Sequence, residues 1–201
     1  MRARVGIRAF ALMAIGALAS VAFVSAAGAD PVVPVTGTGT VACHAAGRLT
    51  FSPALATGGT ATTETVTLKA NLVKCTGTGD GATVRSGKAT ATVTLATNDC
   101  SALATLTSGT LSTSVVWRTT MHSAPLTSST VAFTSGAVGT SPAGKGTLSL
   151  AGSATTGSFS GDAATANVTV SRGIAAIGSG CAHGTLRGLT FNSAGTTASL
   201  G

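Results

Sequence analysis

The residues of this chain that could carry chemistry are few: four cysteines, three histidines, one tryptophan and five acids. Cys43, Cys75, Cys100 and Cys181 form an even set, and no two are close enough for a C-x-x-C metal knuckle. Two disulfides are the expected outcome if the chain is exported. His44 follows Cys43, and His183 lies two residues after Cys181. A Cys43–Cys181 bridge would bring those imidazoles together, where a copper or zinc ion could sit. The plainer reading is two surface histidines beside structural bridges. His122 falls in a turn-like His122-Ser123-Ala124-Pro125 stretch. Neither a metal nor a cofactor is expected.

Nucleophilic and acid–base chemistry find little to work with. Serine hydrolysis needs a base held by a carboxylate. Gly157-Ser158-Phe159-Ser160-Gly161 puts Phe where a nucleophile elbow needs Ser. Glycoside hydrolysis needs two carboxylates about 5–10 Å apart. Beyond Asp30 the chain offers only Glu64, Asp80, Asp99 and Asp162, and Asp80 and Asp99 stand in turn contexts. No catalytic residue is assigned, and the chain is not expected to be an enzyme. Trp117, His44 and His183 remain as weak ligand candidates. A tryptophan at such a position is more often core than platform.

The elements that must position these residues come next. Arg2, Arg4 and Arg8 precede an uncharged apolar run, Ala9 to Val24, and then Ser25-Ala26-Ala27-Gly28-Ala29-Asp30. This is the pattern of a secretory signal peptide over 1–29, cut before Asp30. No Arg pair marks the twin-arginine route, so a Sec-type signal is expected, and no membrane span after cleavage. The remaining chain carries nine basic residues and five acids, spread singly. Nucleic-acid binding would want clustered cations with aromatic platforms, so no nucleic-acid partner is expected.

Alanine, threonine, glycine and serine contribute 37, 36, 27 and 21 residues, about three-fifths of the chain. Pattern nonetheless argues for a fold. Val66, Leu68, Ala70 and Leu72 alternate with Thr67, Lys69 and Asn71. Ala89, Ala91, Val93 and Leu95 alternate with threonines, and Leu111, Thr113, Val115 and Trp117 share one parity. Period two with Thr and Val dominant predicts antiparallel strands. They are expected at 37–44, 47–53, 64–74, 83–96, 109–119, 128–135, 145–151, 156–161, 164–171 and 184–192. Gly clusters punctuate them, and no segment past the signal shows a helical period. The fold class is all-β: an antiparallel sandwich or partly closed barrel of about ten short strands. It would form a single β domain over 37–192, between an extension at 30–36 and a tail at 193–201. Asn167-Val168-Thr169 matches a glycosylation sequon but falls mid-strand.

Strand direction bears on the cysteines. If 37–53 runs down and 64–74 runs up, Cys43 and Cys75 lie toward one end and Cys100 toward the other. Cys43–Cys75 with Cys100–Cys181 is favoured; Cys75–Cys100 with Cys43–Cys181 is the competing arrangement. Large apolar residues are sparse, so two bridges would supply a substantial share of stability.

The run Val41-Ala42-Cys43-His44-Ala45-Ala46-Gly47-Arg48-Leu49-Thr50-Phe51-Ser52-Pro53 resembles the opening of small secreted all-β proteins common in actinobacteria. So do Leu72-Val73-Lys74-Cys75-Thr76-Gly77, Cys100-Ser101-Ala102-Leu103, Val115-Val116-Trp117 and Gly188-Leu189-Thr190-Phe191. The resemblance implies secretion and an all-β fold without an assigned activity, so it carries over no site residues. The chain is therefore expected to be a secreted non-catalytic β domain. It would act structurally or by binding, at the cell wall or outside the cell, with wall components or another extracellular protein as partner. The alternatives are a small-ligand carrier or a polysaccharide-binding module.

Overall fold

The computed structural model describes residues 32–60, 63–101 and 111–201. The expected signal peptide and the first two residues of the expected 30–36 extension lie outside them. Within the described residues there are nine strands: β1 (Val41–Leu55), β2 (Glu64–Gly77), β3 (Val84–Leu95), β4 (Leu111–Thr119), β5 (Ser129–Thr140), β6 (Lys145–Thr156), β7 (Ala163–Gly173), β8 (Leu186–Phe191) and β9 (Thr197–Leu200). A 3₁₀ turn, Gly79–Thr83, links β2 to β3, and one helix, α1 (Ile174–Ala182), links β7 to β8.

Neighbouring strands pair antiparallel from β1 through β7. The ring is closed by β8 and β9, which lie end to end between β7 and β1. β9 meets β1 over Val41–His44, and β8 meets it from Gly47 to Leu55. The result is an eight-position barrel whose eighth position is split between two short strands, rather than a sandwich. Closure leaves no free sheet edge, and eight strands enclose a space that side chains or one small ligand can fill.

Alternation decides which side of the wall each residue takes. On β1, Val41, Cys43, Ala45, Leu49 and Phe51 point inward. On β4 the inward set is Thr113, Val115 and Trp117. The outer face carries Thr67, Lys69, Thr90, Thr92, Ser112 and Ser114. A barrel that faces lipid has an apolar outer band; here the apolar face is turned inward. No helix among the described residues is long and apolar enough to cross a membrane.

Four expectations require correction. The strands expected at 37–44 and 47–53 are one strand: Ala45 and Ala46, the gap between them, pair with Leu72 and Asn71 of β2, and Gly47 follows opposite Ala70. A Cβ there would strike the Lys69 carbonyl and the Phe191 ring, so glycine marks a close approach. The expected strand 156–161 is a tight turn, with Phe159 at φ 63°. Residues 174–182 are helical despite Gly178 and Gly180. The expected tail at 193–201 contains β9, whose Leu200 is buried.

The disulfides are Cys43–Cys75, across β1 and β2, and Cys100–Cys181, joining the loop after β3 to α1. They lie at opposite ends of the barrel. The upper end, where β1 begins, is crossed by residues 32–40. Val35 bridges Leu126, the Gly37 N–H donates to Ser158 Oγ at 3.0 Å, and the Thr38 N–H donates to Asp80 Oδ2 at 2.9 Å.

Candidate functional site

The inside of the barrel is where inward side chains of several strands converge on a shared space. Its upper end is closed by an aromatic pair. Trp117 and Phe159 meet edge to face, centroids 5.5 Å apart. The Trp117 indole fits because Gly87, directly opposite on β3, has no side chain: a Cβ there would stand 3.2 Å from Trp117 Cε3. Trp117 Nε1 donates to Ser129 Oγ at 2.7 Å, and Ser129 Oγ donates in turn to the Ser158 carbonyl. Trp117 is thus a buried, fully satisfied wall residue, not an exposed platform.

Below it lies a cavity of about 90 Å³ bordered by Leu68, Thr113, Val115, Trp117, Phe133 and Phe191, among others. A second of about 40 Å³ shares Leu68, Leu150, Val168 and Phe191 with the first. A third, about 90 Å³, shares Leu49, Leu148 and Val168 with the second and reaches Val138, Ile174 and Ile177. Val138 and Ile174 are exposed at 56% and 45%. Three small apolar spaces thus stand in a row from the β5–β6 hairpin and α1 toward the Trp117 end, each sharing wall residues with the next. The first of these spaces is bordered by alanines (Ala45, Ala70, Ala89, Ala166), where larger side chains would fill it. No charged side chain borders any of the three.

No family model, curated protein or solved structure matches this chain.

The histidines are not brought together. His44 Nδ1 lies 2.8 Å from the Ser193 carbonyl, near the Cys43–Cys75 end. His183 is exposed beyond α1, at the Cys100–Cys181 end, and His122 is exposed in its turn. Among the described residues no group of three His, Cys, Asp or Glu is placed to hold a metal. Asp99 is a loop staple. Its Oδ1 accepts from the Ser101 N–H at 2.7 Å and its Oδ2 from the Gly59 N–H at 3.2 Å. The Ser101 backbone bond above all, then the Ser101 hydroxyl, hold its carboxyl below the usual range.

Sequence reasoning passed over Glu64. It begins β2 on the inward parity shared with Val66 and Leu68, and it is fully buried. Neither carboxylate oxygen has a hydrogen-bond partner among the described residues. Burial pushes its pKa up, and the Ser52 backbone opposes this only in part. The legible signal was an acid in phase with an apolar stripe.

The sign of the pH dependence follows. A carboxyl raised in the folded state contributes stability below its ordinary value of about 4.5, lost as pH climbs through the raised value. Glu64→Gln should match the wild type near pH 4. It should become more stable by about 1–3 kcal/mol toward pH 8, the cost of a buried unsatisfied group. Thermal melts of both proteins across that interval check it; parallel curves would show that Glu64 titrates in the fold as it does in the unfolded chain.

Proposed function

We propose that this chain is an exported, non-catalytic binding domain that carries a small apolar ligand inside its barrel. The observation that carries this reading is the row of apolar cavities in the interior, the last of them bordered by exposed Val138 and Ile174. Ligand pockets are concave, mostly apolar and largely preformed. Two disulfides support an oxidising compartment, and the basic, apolar, small-residue order of residues 1–29 supports export by a signal peptide. Native mass spectrometry of the disulfide-bonded protein from its own host tests the reading. A reproducible bound mass that an apolar solvent strips supports it, and repeated spectra of the bare chain, with no uptake of small apolar compounds, overturn it.

A second reading, binding to an anionic polymer of the cell wall, is favoured by one feature of the outer face. Arg48 and Lys69 stand directly opposite on β1 and β2, and Lys88 lies diagonally across on β3 beside Asn71. They border a shallow groove of about 590 Å³. Like charges directly opposite are destabilising, and the described acids lie inside the barrel or in end turns. Retention on purified walls that falls steeply with salt supports this reading; no retention at low salt removes it.

A further inference from the structure

One polar atom in the upper cavity is unmatched. Thr113 lies between Leu111 and Val115 on the inward face of β4, opposite Val131 of β5. It is 3% exposed, it borders the cavity, and its Oγ1 has no hydrogen-bond partner among the described residues. Other polar side chains at that wall are committed or, like Thr197, exposed. Trp117 Nε1 donates to Ser129, the Thr165 and Ser199 hydroxyls bond each other at 2.7 Å, and Thr196 Oγ1 accepts from the Thr169 N–H at 3.2 Å. A buried hydroxyl without a partner is destabilising where a valine of the same shape is not. Thr113 is therefore either a defect in the packing or one half of an interaction.

We propose that Thr113 is the polar anchor of a ligand site inside the barrel, and that the ligand is a small neutral molecule, at most one ring in size, bearing a single hydroxyl or carbonyl. The inference rests on the carrier reading and adds the ligand's chemistry to it. Size follows from volume. An apolar cavity of about 150 Å³ accepts benzene, and here about 90 Å³ adjoins about 40 Å³. Neutrality follows from the wall, because no charged side chain borders the cavity and an unpaired ion is strongly disfavoured in such a place. The single polar group follows from the single orphan atom. A hydroxyl can donate to a carbonyl or accept from another hydroxyl.

Calorimetric titration of the intact, disulfide-bonded protein with phenol, benzene and benzoate separates the possibilities. Wild type should bind phenol about fivefold to tenfold more tightly than benzene, the worth of one hydrogen bond, and should reject benzoate. Thr113→Val should keep its benzene affinity, lose the phenol preference and melt no lower than wild type. Thr113→Ser, which keeps the hydroxyl, should retain the preference. Equal binding of phenol and benzene by wild type overturns the anchor while leaving the carrier reading standing. So does a preference that survives in Thr113→Val. Benzoate bound as tightly as phenol overturns the neutral ligand class. If neither ring compound binds wild type, the carrier reading falls and takes the anchor with it.

Discussion

Replacing Cys100 and Cys181 together by alanine should lower the unfolding free energy by about 4–5 kcal/mol, more than removing Cys43 and Cys75. The chain-entropy model sets the stabilisation by the length of loop closed. The separations are 81 residues for Cys100–Cys181 and 32 for Cys43–Cys75. The short bridge also joins strands already paired on both sides of it, so other forces hold that loop in the folded state. The long bridge ties together segments with few other links. The Cys100 N–H donates to the Ala56 carbonyl, and the Thr57 N–H donates to the Cys181 carbonyl. α1 itself touches only β7 and β8 to any extent, and two of its nine residues are glycines, each unfavourable in a helix by about 1 kcal/mol. A domain of this size has a total stability of about 5–15 kcal/mol, so loss of the long bridge takes away a large part of it. Urea unfolding of the two double variants gives the comparison. Equal losses, or a larger loss for the Cys43–Cys75 pair, would show that loop length does not set the order here.

Trp117→Ala is expected to cost about 3–5 kcal/mol, the usual loss when a buried aromatic is truncated and its neighbours cannot collapse. Here collapse is resisted from several sides. Phe159 loses its edge-to-face partner, and Ser129 Oγ loses its indole donor while still bound to the Ser158 carbonyl. Gly87 has no side chain with which to fill the space. The lost volume joins the cavity beneath, so the variant should also gain affinity for two-ring apolar molecules. Added indole should raise its melting temperature and leave that of the wild type unchanged. A mild destabilisation with no response to indole would mean that the upper plug relaxes into the gap.

The wall of the barrel was legible because period-two alternation is a local property. Leu111, Thr113, Val115 and Trp117 share a parity in the sequence and a face in the structure. Barrel and sandwich, by contrast, differ in which distant strands pair. The pairing of β1 with β8 and β9 leaves no mark in either segment beyond inward parity at Leu189 and Phe191. The break expected at Ala45-Ala46 is absent because two alanines in a row show no alternation of their own, while the ladder to β2 runs on through them. Phe159 misled because a large residue at positive φ is rare and is held by tertiary contacts. α1 escaped notice because its glycines read as punctuation while its place is fixed by a covalent bond at Cys181. At the site, Thr113 shares the parity of its apolar neighbours, yet its meaning depends on a cavity that no local pattern encodes.

The split eighth position of the barrel also bears on the order of events when the chain is made. β1 needs β8 and β9, which are synthesised well over a hundred residues later, so one of its edges waits unpaired while the intervening strands assemble. Closing such a long loop slows folding. During the wait an exposed strand edge is open to pairing with a second chain. Arg48 stands on that waiting edge, at the position later taken by Thr190. One of the few charges in the barrel wall thus sits where it discourages a wrong partner before the right one arrives.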